Sequence, residues 1–402
     1  MQRLIRDHVP YPLKLGCANA PKNILLIRYN WATPFRTHRK LWSGSIMLTR
    51  ICLARLARRF FALSLLVGLG AAVHAQSLAP EVTLPAGFAT IDPFAQSKLM
   101  TRGVNVLGYD PIWADFSKGR FKQEYFRKIH DAGFSTVRVN LQAFRYMTAE
   151  NKLPDSWFRM LDWVVANAAE AHLQVILDEH DFNYCGDTSF VECKPKLLSF
   201  WQQVAPRYRD TPNSVTFELL NEPHGLISNQ EWNGLLLELL AVVRKTNPTR
   251  NVVIGPGVWN SRAALKDLAL PGDDGHILVT FHYYDPFPFT HQGAPWAGEE
   301  IRSGHDIAWG KAEEQLIVER DFDGVAQWSQ EHHRPILLGE FGSYDKAPME
   351  SRVRWDAFIR KIAEDRGFSW AYWQFDSDFV VYDVETNKWN QPILKALIPK
   401  SH

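Results

Sequence analysis

Two apolar stretches of the chain each end on a carboxylate. The stretch VTFELLNEP, residues 215–223, carries Asn221 and Glu222 just before a proline, and the stretch PILLGEFG, residues 335–342, carries Glu340. Two positioned carboxyl groups can serve as a general acid and a nucleophile when one is kept protonated and the other ionised. Glycoside hydrolysis is a reaction that needs such a pair, with the carboxyl groups about 5 to 5.5 Å apart when one is the nucleophile.

Other polar side chains lie at or near the ends of similar apolar stretches. We expect Arg138 to lie near Glu340 and to hold it ionised, whereas Glu222, with less compensation, keeps the raised pKa that an acid requires. Glu218 lies deeper in its stretch, and we interpret it as a buried support. The other polar or aromatic residues placed in this way are His180, His282, Tyr284 and Trp373.

Eight such stretches can be identified, and each is predicted to be a strand. Helical segments with apolar residues at i, i+3 and i+4 separate them, as in FKQEYFRKIHDAG and QEWNGLLLELLAVVRKT. Apolar strands alternating with helices predict a parallel sheet buried on both faces, and eight units in roughly 300 residues predict a (β/α)8 TIM barrel. A doubly wound sheet would normally carry a dinucleotide or phosphate loop after its first strand, and GVNVLGYDP is neither. The predicted strands are residues 102–108, 135–141, 174–180, 215–223, 251–257, 277–284, 335–342 and 369–375.

The combination of LLNEP and LLGEFG, with VRVN before them and FHYY between them, resembles the family 5 glycoside hydrolases over about residues 98–390. The resemblance implies that Glu222 is the acid/base and Glu340 the nucleophile of a retaining mechanism. It also implies that Asn221 binds the sugar 2-hydroxyl and that Arg138 orients the nucleophile. By the same resemblance, the two active-site histidines, the tyrosine of the His-x-Tyr pair and the aromatic platform are His180, His282, Tyr284 and Trp373. Many relatives have Asn directly after the first histidine, where this chain has Asp181.

Aromatic residues add information about the substrate. The chain has 15 Trp, and flat aromatic side chains at a barrel rim can stack on the apolar faces of sugar rings. Trp259 and Trp296 are the candidates for weaker substrate contacts, with Trp113 and Trp309 also in predicted loops. The long loop after the sixth strand adds Phe287 and His291 as weaker candidates. Four other tryptophans fall on predicted helix faces and are interpreted as core: Trp157, Trp163, Trp201 and Trp355.

The amino-terminal region differs in character from the rest of the chain. Residues 1–75 hold 12 Lys and Arg and one acid, whereas the remainder holds 33 bases and 43 acids, an acidic balance that argues against a nucleic-acid partner. Residues 47–75 combine basic residues, an apolar run and a small-x-small site, which predicts a signal peptide cleaved near Ala75. The apolar run is too short to span a bilayer of about 30 Å, so we expect no stable membrane anchor.

The remaining boundaries follow from this leader. Residues 1–46 are a doubtful upstream extension, residues 76–97 a lead-in, and residues 98–402 the catalytic barrel, with no separate carbohydrate-binding module. In an oxidising compartment Cys185 and Cys193 are predicted to form a local disulfide, with free thiols as the alternative. We expect no metal and no cofactor, because the chain has no C-x-x-C or H-E-x-x-H motif.

The sequence therefore predicts a secreted or periplasmic, monomeric endo-β-1,4-glucanase acting on β-glucan polysaccharide or oligosaccharide. A β-mannanase or an exo-β-1,3-glucanase on the same barrel is an open alternative, because subsite loops decide substrate and cleavage pattern. A catalytically inactive sugar-binding barrel is a further alternative from a different class. Such a barrel would keep the aromatic rim but could lose either carboxylate, and both Glu222 and Glu340 are present.

Overall fold

The computed structural model describes residues 77–400 and contains a closed barrel of eight parallel strands. Each strand pairs with the next along the chain, and the last pairs with the first. The eight-stranded TIM barrel predicted from the sequence is confirmed. The barrel strands are β1 (Arg102–Val106), β2 (Thr136–Leu141), β3 (Gln174–Glu179), β4 (Val215–Glu218), β5 (Val252–Ile254), β6 (Ile277–Tyr283), β7 (Ile336–Phe341) and β8 (Ser369–Tyr372).

Helices occupy the crossovers between the strands, as right-handed βαβ connections require. Most of the long ones bury an apolar face, and Trp157, Trp201 and Trp355 are among the largest fully buried side chains. The α-helices are α1 (Pro93–Met100), α2 (Gln123–Ala132), α3 (Asp155–Glu170), α4 (Phe190–Arg207), α5 (Asn229–Arg244), α6 (Gly257–Asn260), α7 (Phe287–Thr290), α8 (Glu299–Arg302), α9 (Ala312–His332), α10 (Met349–Asp365) and α11 (Gln391–Leu397). A small hairpin of β9 (Tyr382–Asp383) and β10 (Lys388–Trp389) follows the barrel strands.

Helix α1 lies at the amino-terminal end of the barrel and crosses the predicted boundary between lead-in and barrel. Its N-cap Asp92 accepts hydrogen bonds from the backbone of Phe94 and Ala95, which satisfies the first turn. Met100, at its last position, joins an apolar cluster with one inward-facing residue from each of four strands. This layer fills the barrel below the polar residues, so the polar end is the opposite, carboxyl end. The cluster consists of Met100, Ile176, Val253, Leu278 and Leu337.

Several strands end earlier than the sequence predicts, among them β1, β4, β5 and β8. Strand β4 ends at Glu218, although the backbone nitrogens of Leu219 and Asn221 still donate to the carbonyls of Val253 and Glu179 at 3.2 and 2.8 Å. Strand β5 covers Val252–Ile254, because the chain after it turns through left-handed conformations. Apolar composition alone does not reveal where a strand leaves its ladder of hydrogen bonds.

Several predictions lie outside the described residues. The upstream extension and the signal peptide with its cleavage near Ala75 both fall before residue 77 and remain predictions. Within residues 77–400, no helix is long and apolar enough to cross a membrane.

Candidate active site

Arg138 lies at the centre of the polar end of the barrel and is fully buried. Its guanidinium makes a bidentate pair with Glu218, with Nε and Nη2 donating at 2.7 and 2.8 Å. Nη1 also donates to Glu340 Oε1 at 2.9 Å, and Nη2 to Asn221 Oδ1 at 2.8 Å. A buried arginine is stable only with such compensation. The side chain therefore joins a supporting carboxylate to two of the residues predicted to act on substrate.

Glu340 points into the barrel because strand β7 is irregular just before it. Leu337 faces the barrel interior, and strict alternation would send Glu340 outward. The pairing with β6 skips Gly339, so that His282 lies beside Glu340. An added Cβ on Gly339 would approach Thr280 Oγ1 to 2.5 Å, which explains the glycine. Bulges of this kind re-aim a side chain next to an active site.

Glu222 lies beyond the end of β4, in a backbone conformation that its residue type rarely adopts. Its φ is 41°, within the left-handed region, and such strain persists where surrounding contacts hold it. His282 Nδ1 lies 2.7 Å from Glu222 Oε1 and 3.6 Å from Glu340 Oε2. One ligand atom from each of Glu222, His282 and Glu340 lies within 4.8 Å of the others. The two carboxyl groups therefore approach each other closely, with an imidazole beside both.

The hydrogen bonds of His282 identify its protonated nitrogen. Burial lowers the pKa of His282 to about 4, so the ring is neutral at pH 7. The Nδ2 amide of Asn260 lies 3.3 Å from Nε2 and donates to it, which leaves the proton on Nδ1. Nδ1 then donates to Glu222 Oε1. With this tautomer, a proton carried by Glu222 is on its other oxygen, available to a bound substrate.

The two carboxyl groups differ in their electrostatic surroundings. Burial raises the pKa of Glu222 to about 8, against weaker lowering by His224 and Arg138. Burial also raises the pKa of Glu340, opposed by His282 and Arg138. Arg138 thus lies beside Glu340 as predicted and favours its ionised form, but it does not bring the pKa below its usual value. The Arg138 guanidinium also interacts with Glu218 and Asp178, so its positive charge is shared among three carboxyl groups and does not act on Glu340 alone. Glu340 nevertheless has the stronger stabilisation of an anion, from Arg138 Nη1 and from Tyr284 OH, each at 2.9 Å.

His180, after β3, lies on the same side of the site with Trp373 and Asp178. Its Nδ1 lies 2.6 Å from Asp178 Oδ2, and its ring stacks on Trp373 with centroids 5.6 Å apart and planes 8° apart. Asp181, the departure from the family pattern, accepts a hydrogen bond from the backbone of Phe144 at 2.8 Å. The Asp181 carboxylate therefore ties this loop to the loop after β2.

Only one of the two polar atoms of the Asn221 side-chain amide has a hydrogen-bond partner within the described residues. Its Oδ1 accepts from Arg138, whereas its buried Nδ2 has no hydrogen-bond partner within the described residues. A buried amide nitrogen without a partner is unfavourable unless a ligand or water satisfies it. The arrangement provides a donor for a sugar hydroxyl.

The predicted rim aromatics divide into two groups. Trp259 and Trp296 are 50% and 39% exposed and remain candidates for sugar contacts. Their loop positions predict that Trp113 and Trp309 also lie exposed at the barrel rim. This prediction is wrong, because both side chains are buried, and Trp113 donates its indole N–H to Leu107 O at 2.9 Å. Of the two candidates after β6, Phe287 is exposed and stacks on the buried ring of His291 at 3.9 Å. Loop position alone does not distinguish a packed tryptophan from an exposed one.

Sequence reasoning did not identify several polar residues of the site. Asn105 Oδ1 accepts from Arg138 Nη1 at 2.8 Å, and Asn140 Nδ2 donates to Asp178 Oδ2 at 3.1 Å. Their signal was available, because these residues interrupt predicted buried strands at inward-facing positions. Tyr109, half exposed on the loop after β1, also lies in the electrostatic field of Glu340.

Two further features concern metal ions and cysteines. Within residues 77–400, Glu222, His282 and Glu340 are the one set of three side chains whose ligand atoms are close enough to hold a metal ion, and these three are the same groups described above. Cys185 and Cys193 are joined by a disulfide with a Cα–Cα distance of 5.0 Å. The disulfide connects a π-helical turn, Tyr184–Thr188, to the first turn of α4.

Comparisons with known proteins agree with this geometry. The family described as cellulase (glycosyl hydrolase family 5) matches residues 96–378. Endoglucanase H of Acetivibrio thermocellus is 32% identical over 327 residues, which cover 76% of this chain and 34% of that protein. The chain thus matches about a third of the length of that relative.

Solved structures give the same result. Thermotoga maritima Cel5A in complex with cellobiose has a TM-score of 0.73 and 37% identity, over 76% of this chain and 100% of the other. Cel5A in complex with mannotriose has a TM-score of 0.73 and 36% identity, over the same shares of the two chains. Because the family match covers well over half of the sequence, the chain belongs to glycoside hydrolase family 5 and is a cellulase-like hydrolase of O-glycosyl bonds.

Proposed function

We propose that this protein is an exported, retaining endo-β-1,4-glucanase with Glu340 as nucleophile and Glu222 as acid/base. The observation that carries the proposal is the pairing of two carboxyl groups whose oxygens approach within 4.8 Å but whose partners differ. Retaining glycosidases need carboxyl groups about 5 to 5.5 Å apart, whereas inverting enzymes leave room for a water molecule, at about 6.5 to 9.5 Å. The short separation favours retention.

In the first step, Glu340 attacks the anomeric carbon of the sugar on its side of the bond. Glu222 gives its proton to the glycosidic oxygen, the bond from that oxygen to the anomeric carbon breaks, and a glycosyl ester of Glu340 forms. A pKa of about 8 keeps Glu222 protonated at neutral pH. Arg138 and Tyr284 hold the two Glu340 oxygens, which fixes the attacking group in position.

In the second step, water replaces the departed sugar. Glu222, now a carboxylate, removes a proton from the water, whose oxygen attacks the anomeric carbon and releases Glu340. Two inversions return the sugar to its original β configuration. The unpartnered Nδ2 of Asn221 is suited to donate to the 2-hydroxyl, where hydrogen bonds strengthen in the transition state. Trp373, stacked on His180, is proposed as the platform for the sugar that reacts with Glu340.

The substrate is proposed to be a β-1,4-linked glucan, cleaved within the chain. The relatives include endoglucanases and a structure with bound cellobiose, and the exposed faces of Trp259 and Trp296 suit sugar rings. A β-mannan is the second candidate, supported by the complex of Cel5A with mannotriose. Export is proposed from the leader predicted at residues 47–75 and from the Cys185–Cys193 disulfide, which suits an oxidising compartment.

Reducing-sugar release by the purified protein tests the substrate proposal. The panel comprises carboxymethylcellulose, mixed-linkage β-glucan, laminarin and β-mannan, with Glu340→Gln alongside. Activity on the first two, lost in the variant, supports the glucanase. Preference for mannan or laminarin would retain the chemistry but replace the substrate. No reducing-sugar release from any of the four substrates, with sugar binding intact, would support the inactive sugar-binding barrel instead.

A further inference from the structure

Glu179 and Asp181 lie on either side of His180, at the end of β3 and at the start of the loop after it. Glu179 is fully buried and Asp181 is partly buried. The backbone N–H of Asp181 donates to Glu179 Oε2 at 3.3 Å, and the two carboxyl groups are within hydrogen-bonding reach of each other. In the part of the chain that the structure describes, neither group forms a salt bridge, unlike their neighbour Asp178, which pairs with Arg138 at 3.1 Å. Together Glu179 and Asp181 form an acid pair with no cation in contact.

The hydrogen-bond donors around the acid pair decide which group holds a proton. Asp181 accepts from the backbone N–H groups of Phe144, at 2.8 Å, and Ala143. Glu179 has fewer donors, because its Oε1 is buried and has no hydrogen-bond partner among the described residues. Ionised carboxylates only accept, so a hydrogen bond between two carboxyl groups needs a proton on one of them. The backbone donors stabilise the anion on Asp181, which leaves Glu179 as the group that carries the proton and donates it.

The surroundings of the acid pair also favour a single proton. Burial raises the pKa of Glu179 well above its usual value, and the adjacent Asp181 raises it further. Burial also raises the pKa of Asp181, but the hydrogen bond from Glu179 and the charge of Arg145 oppose this increase. Two carboxyl groups so close together do not both ionise easily. The charged and titratable side chains that face the pair are Asp178 and His180 beside it in the chain, Arg145 and Tyr146 in the loop after β2, and Tyr184 and Lys196, which lie next to the Phe144 ring.

The loop after β2 is the part of the molecule that the acid pair holds. Phe144 anchors this loop through a buried ring that packs edge-on against Tyr184, with centroids 5.8 Å apart. Two residues earlier, the Gln142 side chain hydrogen-bonds the Tyr109 hydroxyl, and Tyr109 lies in the electrostatic field of Glu340. The hydrogen bond from the Phe144 backbone to the acid pair therefore joins one wall of the cleft to the end of β3.

We propose that Glu179 and Asp181 share one proton and act as a positioning pair, which holds the loop at residues 142–147 against the His180 side of the active site. An asparagine at position 181 could donate to Glu179 from its own amide. With aspartate there, the donor must be a proton on Glu179, so the contact depends on pH. The effect on turnover rests on the proposed function, whereas the proton and the loop contact do not.

The proton on Glu179 can be measured through stability, without a substrate. A carboxyl group whose pKa is raised on folding stabilises the fold at low pH, and this contribution is lost as the pH rises through the folded-state pKa. In urea denaturation from about pH 6 to 8, the unfolding constant of the wild type should therefore rise by up to about tenfold per pH unit relative to that of Glu179→Gln. The variant keeps an N–H donor for Asp181 but cannot titrate.

Two further variants sharpen the stability test. Glu150→Gln removes an exposed acid of the loop after β2, and as the matched control it should leave the ratio of unfolding constants nearly constant. Asp181→Asn gives Glu179 an amide donor and should weaken the pH dependence seen in the wild type. A ratio of wild type to Glu179→Gln that does not change with pH would overturn the shared proton.

Hydrogen exchange tests the positioning role. Asp181→Ala removes the acceptor of the Phe144 N–H, so this amide should exchange about tenfold faster, as expected for the loss of one hydrogen bond. Asp181→Asn retains an acceptor oxygen and should restore slow exchange. Peptides from α9, on the opposite side of the barrel, are the internal reference and should not change. Equal acceleration in both regions would show a general loss of stability and would contradict positioning.

Kinetics on cellotetraose test the link to catalysis. Asp181→Ala should lower kcat/KM by about tenfold because one wall of the cleft is displaced, whereas Asp181→Asn should stay within about twofold of the wild type. An unchanged kcat/KM in Asp181→Ala, together with faster exchange, would limit the pair to a structural role and contradict the proposal. Wild-type protein inactive on every glucan would instead contradict the glucanase, and the stability and exchange measurements would still decide whether the proton is shared.

Discussion

Arg138 donates from Nη1 to Oε1 of Glu340 at 2.9 Å, whereas the corresponding close partner of Glu222 is the neutral imidazole of His282 at 2.7 Å. The same cleft therefore offers one carboxyl group a cation and the other an uncharged donor. This difference separates the roles of two otherwise similar side chains, because a nucleophile must be ionised while the acid holds a proton.

Glu340→Gln should reduce hydrolysis by more than about a thousandfold, because the amide cannot form the glycosyl ester. Initial rates on cellotetraose measure the loss, and calorimetric titration of the variant with the same sugar measures retained binding. Proton NMR of the wild-type products should show the β anomer first. An α anomer formed first would contradict the double-displacement mechanism.

The activity should fall as the pH rises through about 8, because Glu222 must be protonated in the first step and its pKa is raised to about that value. Glu222→Gln should slow hydrolysis of cellotetraose by about 10²- to 10⁴-fold and remove this basic limb. Dinitrophenyl β-cellobioside, whose leaving group needs no proton, provides the control: its first step should remain fast in the variant. Equal losses on both substrates would argue against Glu222 as the acid.

Arg138→Met should lower the free energy of unfolding by about 3 to 5 kcal/mol, because it leaves Glu218 and its neighbours as buried carboxyl groups without a cation. Urea denaturation followed by circular dichroism measures the change. Lys194→Met is the matched control, since the Lys194–Glu238 pair is exposed and should contribute at most about 1 kcal/mol. A similar small change in both variants would refute the central role of Arg138 in stability.

Replacing both Cys185 and Cys193 by alanine should lower the free energy of unfolding by about 2 to 3 kcal/mol, from the lost constraint on the unfolded chain. Thiol titration of denatured, unreduced protein is the accompanying measurement, and we expect no free thiols from residues 185 and 193. Because the chain also has Cys17 and Cys52, the thiols are located by alkylation and peptide mapping. Free thiols at Cys185 and Cys193 would exclude the bond in the protein as produced, and the stability change would then report only lost packing of two buried side chains.

Much of the site follows from the order of residue types along the chain. Polar side chains at the ends of apolar strands predict one functional face, because parallel strands in a barrel point their carboxyl ends in the same direction. Arg138, Asn221, His282, Tyr284 and Glu340 all lie within the hydrogen-bonded cluster around the two carboxyl groups. Their grouping at one end of the barrel follows from the positions of the strand ends.

Other features depend on contacts that strand periodicity does not contain. The bulge at Gly339 reverses the facing of Glu340, and buried packing removes Trp113 and Trp309 from the rim. The sequence by itself determined the barrel, the carboxylate pair and the residue types around it, since these follow from periodicity and chemistry. Only the tertiary structure decided how Arg138 is shared and which tryptophans are exposed, because those relationships join residues distant in the chain through packing.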